Sequence, residues 1–230
     1  MKPTVVLCGS LGSTREMWES QLGTLSERFE VVRVDHPGHG GAPLAEVSDL
    51  GDLARRILDT VPAGRFSFVG LSLGGAVGMQ LALDAPERVD RLVLACTSAS
   101  FGPPEGWTER AATVRAEGIR AIADAVLARW FTPGFPDVRR YREMLLSTDP
   151  EGYARCCDAL ARWDARDALG AISAPTLVVS GADDPSAPPE HGQLVAERIP
   201  GARHHVLPAA AHFANVERAD EFNRLLSEAL

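Results

Sequence analysis

The feature that most constrains the fold is the stretch Phe66–Val77, with the sequence FSFVGLSLGGAV. An apolar, β-prone run enters the pentapeptide Gly70–Gly74, which has the pattern G-x-S-x-G, and a run of small, helix-compatible residues leaves it. In this context the pattern predicts a strand that turns sharply into a helix, with the serine in a strained backbone conformation. Glycines keep Cβ atoms out of the crowded turn, and the first N–H groups of the helix point towards whatever the serine attacks. We therefore predict that Ser72 is a nucleophile.

Short apolar runs alternate with helical patterns on both sides of this turn. Continuous apolar runs of this length are typical of strands buried on both faces of a parallel sheet. The alternation predicts an α/β fold with a doubly wound, mainly parallel sheet of about six strands, whose ligands bind outside the carboxyl ends of the strands. A final helix is predicted over roughly Val216–Leu230. Besides the strand that enters the turn, the predicted strands are Thr4–Cys8, Val31–Val34, Arg91–Cys96, Thr176–Ser180 and Arg203–Leu207.

The alternation breaks between about Ser98 and Ala174, where the sequence has helical periodicity interrupted by Gly/Pro clusters and no strand pattern. This length is too great for a simple crossover between two strands. It predicts a helical insertion that covers the carboxyl edge of the sheet. We therefore expect a core formed by residues 1–97 and 175–230 and a helical cap formed by residues 98–174.

Charge and composition narrow the classes of partner. The formal net charge is −8, and no Lys/Arg-rich run is present, which argues against a nucleic acid or an anionic membrane as partner. No apolar segment approaches a membrane span, and the N-terminus lacks the layout of a signal peptide. We expect a cytoplasmic protein with a small-molecule substrate; its oligomeric state stays open. Reduced thiols are expected, since no metal spacing or favourable disulfide pairing relates Cys8, Cys96, Cys156 and Cys157.

A nucleophilic serine needs a base, and the base needs an orienting acid. In proteins with the G-x-S-x-G turn, the three residues follow in the order Ser, acid, His, each in a loop after a strand. The acid is predicted in Gly181–Pro185, after the fifth strand. Two aspartates compete there. We favour Asp184 because the turn after the fifth strand usually places the acid three residues after its glycine, here Gly181. Asp183 is then expected to be a solvated turn residue.

The base is predicted in the loop after the last strand. The stretch Ala209–Phe213 places His212 there among small residues that leave room around the ring. The other histidines stand at less suitable positions: two within the preceding strand, two after the second strand at the wrong topological position, and one on a helix surface (His204 and His205, His36 and His39, and His191).

An oxyanion hole is expected to combine two backbone N–H groups. One belongs to Leu73, the residue after the nucleophile. The other is expected in the loop after the first strand, where counting back from Trp18 gives Leu11, flanked by Gly9 and Gly12. The alternative is that this glycine-rich stretch is only a turn. It is not a phosphate-binding loop, because the lysine of that motif is missing.

With these residues in place, the chain resembles the α/β-hydrolases. Among them it closely resembles the 3-oxoadipate enol-lactonases of bacterial aromatic degradation, in the β-ketoadipate pathway. The resemblance covers nearly the whole chain. The G-x-S-x-G turn and the three polar residues Ser72, Asp184 and His212 are specific only to the superfamily, whereas the cap residues point to the lactonases. The stretches that carry it are Gly9–Ser13 with Met17-Trp18, Gly70–Gly75, Glu117–Thr132 with Glu151–Ala154 after it, and Ala211–Asp220.

The sequence departs from this family in two places. Its members usually begin with an antiparallel β-hairpin, whereas the first strand here starts at about Thr4. The edge of the sheet beside the second strand is then left uncovered. Pro37 stands where many relatives carry arginine, in a loop near the substrate.

The resemblance implies a serine hydrolase that opens 3-oxoadipate enol-lactone to 3-oxoadipate without a metal or organic cofactor. The substrate carries a carboxylate, and Arg129 beside Trp130 in the cap is the candidate cationic partner. The alternative is that Arg129 is solvated and that Trp130 packs the cap onto the core.

Three other functions fit the same scaffold. One is a carboxylesterase, or a lactonase for a different ring. Another is a cofactor-free perhydrolase of the haloperoxidase-like type, which makes peracids from carboxylic acids and peroxide. The third is a ligand receptor that retains the three polar residues without catalysis.

Overall fold

The computed structural model describes residues 2–230 and is built around one parallel six-stranded sheet in the order β2-β1-β3-β4-β5-β6. The predicted α/β fold with a doubly wound parallel sheet of six strands is confirmed. Strand β2 forms one edge of the sheet, and among residues 2–230 no further strand pairs with it, as predicted. The strands are β1 Thr4–Cys8, β2 Glu30–Val34, β3 Phe66–Leu71, β4 Val89–Ala95, β5 Thr176–Gly181 and β6 Arg203–Leu207.

Several core helices bury an apolar stripe, whereas the helix that follows Ser72 is buried on nearly all sides. Every residue of β3 is buried, and the neighbouring β1 pairs with it so that Val6 lies opposite Phe68. The core helices are α1 Glu19–Ser26, α2 Leu50–Thr60, α3 Leu73–Asp84, α8 Pro189–Arg198, α9 Ala214–Glu217 and α10 Ala219–Ala229, with a 3₁₀ turn at Arg15–Trp18.

A helical insertion separates β4 from β5. Within it the helices α4 (Pro104–Glu117) and α7 (Pro150–Ala161) pack against each other, and no strand is present between residues 98 and 174. The predicted helical insertion is confirmed, while its division from the core at residues 97/98 and 174/175 stays a prediction. The helices of the insertion are α4 Pro104–Glu117, α5 Ala123–Trp130, α6 Val138–Leu146 and α7 Pro150–Ala161, with 3₁₀ turns at Ile119–Ala121 and Leu169–Ala171. Across residues 2–230 no helix has the length and apolar character that a membrane crossing requires.

The predicted single C-terminal helix is wrong in two respects. It starts two residues earlier and is broken at Arg218, whose backbone (φ −124°, ψ 47°) is not helical. The break at Arg218 separates two short helices that both pack against the 3₁₀ turn Arg15–Trp18 and α1. Asn215 of α9 donates through Nδ2 to the Met17 carbonyl at 3.0 Å, whereas α10 buries a stripe that includes Phe222.

Candidate active site

Ser72 occupies the turn between β3 and α3 in a strained conformation. Its φ of 59° and ψ of −115° lie outside the regions that residues with a Cβ atom favour. The surrounding structure imposes this conformation: the Ser72 N–H donates to the Ala95 carbonyl at 2.9 Å, and its carbonyl accepts from Thr97 Oγ1 at 2.7 Å. A Cβ atom on Gly74 would lie 2.1 Å from the Cys8 carbonyl oxygen, so only glycine fits there.

Asp184 and His212 meet at the same edge of the sheet. Asp184 Oδ2 accepts from His212 Nδ1 at 2.8 Å, and Asp184 Oδ1 accepts from the backbone N–H groups of Ser186 and Ala187 at 2.8 and 3.1 Å. Burial opposes ionisation of Asp184, but His212 and the two backbone donors outweigh it and hold the pKa of this carboxyl below its usual value. Asp183, by contrast, is exposed.

The contact with Asp184 fixes the orientation of the His212 ring. Because Nδ1 faces a carboxylate, the neutral ring carries its proton on Nδ1 and leaves Nε2 as an acceptor. Nε2 has no hydrogen-bond partner among the described residues, and its ring shares a cavity with Ser72. No hydrogen bond joins Ser72 Oγ to this nitrogen in residues 2–230, and such bonds often tighten only when substrate is bound.

Two backbone N–H groups beside Ser72 lack acceptors. Those of Leu11 and Leu73 have no hydrogen-bond partner within the described part of the chain. The loop that carries Leu11 is held against α3, since the Gly9 carbonyl accepts from the Gly74 N–H at 3.0 Å. The same carbonyl lies 2.9 Å from His36 Nε2. The loop therefore has a fixed position relative to the nucleophile turn.

A cavity of about 270 Å³ opens over these groups, between the sheet edge and the insertion. Its wall combines apolar and aromatic side chains with a few polar groups and two arginines, as is common for small-molecule sites. The cavity is lined by Ser10, Leu11, Ser72, Phe101, Pro103, Gly106, Trp107, Arg110, Val126, Arg129, Trp130, Tyr153, Ser186 and His212.

Comparison with known proteins identifies the family of this chain. The family model for the alpha/beta hydrolase fold matches residues 3–219. The chain belongs to this family.

Several α/β-hydrolases are similar to the chain over nearly their whole length. The 3-oxoadipate enol-lactonase 2 of Acinetobacter baylyi is 36% identical over 96% of this chain and 86% of that protein. The crystal structure of the enol-lactonase from Burkholderia xenovorans LB400 has a TM-score of 0.95 and 38% identity, over 99% of this chain and 91% of the other. A thermophilic esterase from Thermogutta terrifontis has a TM-score of 0.90 and 29% identity, over 99% and 90%. This α/β-hydrolase is therefore related to enol-lactonases and to esterases.

The two predicted substrate-binding residues both reach the cavity of this α/β-hydrolase. Arg129 is exposed at the rim and forms no ion pair with a carboxylate within residues 2–230. Trp130 is buried and stacks on Phe213 with the ring centres 4.2 Å apart. Trp130 therefore packs the cap onto the core and lines the cavity at once.

A second arginine in the cavity was missed by the sequence analysis. Arg110 of α4 is half-buried, and its guanidinium lies 4.8 Å from the ring centre of Trp107. Burial raises the pKa of Tyr153, and the positive charge of Arg110 opposes that rise. Like Arg129, Arg110 has no carboxylate partner in the described chain. The available signal was the spacing of Trp107 and Arg110, which lie on one face of a helix.

The histidines that follow β2 are structural residues of the core. His36 and His39 are buried, and burial lowers their pKa values to about 4 and about 3. Both are neutral at pH 7. His36 contacts the Gly9 carbonyl, and His39 Nδ1 lies 3.0 Å from the Pro37 carbonyl. His204 is held by Ser180, with 2.9 Å between Nε2 and Oγ.

These buried histidines predict a pH dependence of stability. Between about pH 6.5 and pH 4 the unfolded chain binds protons that the folded chain excludes, so the free energy of unfolding falls as the pH falls. Replacing His39 with glutamine is expected to reduce this slope by up to about 1.4 kcal/mol per pH unit. Urea unfolding of both proteins at several pH values in this range measures the slope. An unchanged slope would show that His39 is protonated in the folded protein.

Proposed function

We propose that this α/β-hydrolase is a serine hydrolase that opens 3-oxoadipate enol-lactone to 3-oxoadipate. The observation that carries the proposal is the union of a strained Ser72, the His212–Asp184 pair and an arginine-bearing cavity in one place. The similarity to enol-lactonases over nearly the full chain supports this choice of substrate.

The reaction needs a proton acceptor and a site for negative charge. His212 Nε2 takes the proton of Ser72 as Oγ attacks the lactone carbonyl, and Asp184 stabilises the resulting imidazolium. The N–H groups of Leu11 and Leu73 donate to the oxyanion. These donors have no competing acceptors in residues 2–230, so they are available without reorganisation.

Collapse of the tetrahedral intermediate breaks the ring C–O bond. The leaving group is an enolate, which takes the proton held on His212 Nε2 and tautomerises to the ketone, while the acyl group stays on Ser72 and His212 becomes neutral again. Water then attacks the acyl-enzyme while His212 accepts its proton. His212 passes this proton to Ser72 Oγ as the acyl C–O bond breaks, which releases 3-oxoadipate and restores the serine hydroxyl.

The direct test follows the ultraviolet absorbance of enzymatically generated 3-oxoadipate enol-lactone. Rapid loss of the signal with the wild-type protein is expected. A protein that leaves this lactone intact but cleaves simple aryl esters would retain the serine hydrolase chemistry and exclude the lactone. That outcome would favour a general esterase, which the similarity to the Thermogutta terrifontis esterase makes the second candidate.

Carboxylate recognition gives a second test of the substrate. The substrate's carboxylate needs a cationic partner, and Arg110 is better placed than the exposed Arg129 because it is half-buried and its guanidinium lies over the ring of Trp107. Replacing Arg110 with methionine is expected to raise the KM for the lactone by about 10- to 100-fold, since a hydrogen bond to a charged group contributes about 1.5–3 kcal/mol. Arg129→Met is expected to have a smaller effect in the same direction.

The comparison requires a neutral ester of similar size and a control variant. Arg120→Met removes an exposed arginine of the cap that does not line the cavity. The control is expected to behave as wild type on both substrates, while Arg110→Met loses activity only on the lactone. Equal losses on the lactone and the neutral ester would remove Arg110 from carboxylate recognition.

A further inference from the structure

The loop that carries His212 is held from two sides. On one side it packs against the loop of Asp184, where the Asp183 N–H donates to the Ala210 carbonyl at 2.9 Å. A Cβ atom on Gly181 would lie 2.3 Å from the Ala211 carbonyl oxygen, which shows how closely the two loops approach. The other side of the loop faces the cap.

The cap contact is made by the C-terminal end of α5. The carbonyls of Arg129 and Trp130 accept from the N–H groups of His212 and Phe213 at 3.4 and 2.8 Å. These carbonyls have no partner within their own helix. The loop that carries His212, called the base loop below, therefore supplies the hydrogen bonds that the end of α5 lacks. Phe213 is also enclosed by cap aromatic rings, those of Trp130, Phe131 and Tyr141, with ring centres 4.2, 5.4 and 5.8 Å away.

Glu217 joins both sides of this contact with one carboxylate. Its Oε2 accepts from the Ala211 N–H at 2.7 Å, next to His212 in the chain. Its Oε1 accepts from the N–H and the hydroxyl of Thr132, at 2.9 and 2.6 Å, just beyond the end of α5. A carboxylate is suited to this place because it can accept all three bonds and needs to donate none.

The helix that carries Glu217 is itself fixed. Asn215 is fully buried, and its Nδ2 donates to the Met17 carbonyl and to Gln21 Oε1 at 3.0 and 3.1 Å. Gln21 Nε2 donates back to the Asn215 carbonyl at 2.9 Å. The break at Arg218 ends α9 directly after Glu217. Glu217 therefore acts from an anchored position.

We propose that Glu217 is a positioning residue that couples the cap to the base loop. It holds His212 in register with the end of α5, which carries the cavity residues Arg129 and Trp130. A substrate bound by the cap is thereby aligned with the base that activates Ser72. This inference rests on the proposed serine hydrolase chemistry but not on the identity of the lactone.

The first test replaces Glu217 with glutamine, which keeps the shape but turns one acceptor into a donor. One of the facing N–H groups then meets another donor, and the base loop shifts. The expected result is a fall in kcat of about 10- to 100-fold with KM nearly unchanged, because small displacements of a catalytic group have effects of this size. The rate at which a small phosphonate labels Ser72 is expected to fall in parallel.

The second test separates the cap from the loop. Thr132→Val removes the hydroxyl arm alone, and we expect a smaller fall in kcat. The double variant with Glu217→Gln and Thr132→Val is expected to be no slower than Glu217→Gln alone, since both changes break the connection between Thr132 and Glu217. Glu228→Gln, which alters an exposed carboxylate of α10 paired only with Arg224, is the matched control and is expected to match wild type.

The assays use both p-nitrophenyl acetate and the enol-lactone. A wild-type protein that cleaves neither substrate would overturn the proposed function. A wild-type protein that cleaves either one, with folded Glu217→Gln retaining its kcat and labelling rate, would overturn the positioning role. An unchanged kcat in Thr132→Val would overturn the coupling to the cap, and this variant decides the matter if Glu217→Gln does not fold.

Discussion

Replacing Ser72 with alanine is expected to reduce kcat by about 10⁵- to 10⁶-fold, as removal of a serine nucleophile does elsewhere. The loss follows because no acyl-enzyme can form, while the oxyanion donors at Leu11 and Leu73 remain and support a low residual rate. Turnover of the enol-lactone and of an aryl ester, measured side by side, gives the fold-change on each.

Stability measurements sharpen this prediction. Ser72 has a positive φ, and alanine tolerates that conformation no better, so the variant is expected to unfold at nearly the same urea concentration as wild type. Ser20→Ala alters an exposed hydroxyl of α1 and serves as the control. If folded Ser72→Ala hydrolyses esters within tenfold of the wild-type rate, another group is the nucleophile.

Replacing Asp184 with asparagine is expected to reduce kcat by about 10⁴-fold. The reason lies in the two backbone donors that face Oδ1, those of Ser186 and Ala187. An amide must turn its oxygen towards them, which points its NH₂ group at His212 Nδ1. The ring then has to accept at Nδ1 and carry its proton on Nε2, where it can no longer take the proton of Ser72.

The neighbouring aspartate provides a matched control. Asp183→Asn makes the same chemical change one residue away, at an exposed position whose side chain contacts neither His212 nor the cavity. It is expected to leave kcat and KM unchanged in the same lactone assay. A large loss in Asp183→Asn together with a small loss in Asp184→Asn would reverse the assignment of the acid.

The fold was predictable because its signals are local. Continuous apolar runs are the direct consequence of strands buried on both faces, and the glycines around Ser72 follow from steric exclusion at one turn. The break at Arg218 was not predictable in this way. The stretch after Phe213 has helical periodicity throughout, and the break is seen only in the packed chain, where Asn215 donates to the Met17 carbonyl and Phe222 packs beside Trp18.

The candidate site likewise contains residues that the sequence predicts and residues that only packing brings to the cavity. Sequence order and the loops after β5 and β6 predicted Asp184 and His212 as acid and base. Their side chains meet because topology brings the carboxyl ends of parallel strands to one edge. Arg110 gave no such signal. It is one of several arginines on cap helices, and only the packing of α4 against α7 places it beside Tyr153 in the cavity.

Residue types along the chain were sufficient to predict the parallel sheet, the strained turn at Ser72 and the order of the polar residues that follow it. Each of these depends on residue types at short spacing and on a topology with few alternatives. Packing of the folded chain places particular arginines at the cavity and joins Thr132 to the loop of His212 through Glu217. The bonds from Thr132 to Glu217 join residues 85 positions apart and depend on how the cap packs on the core, which periodicity does not encode.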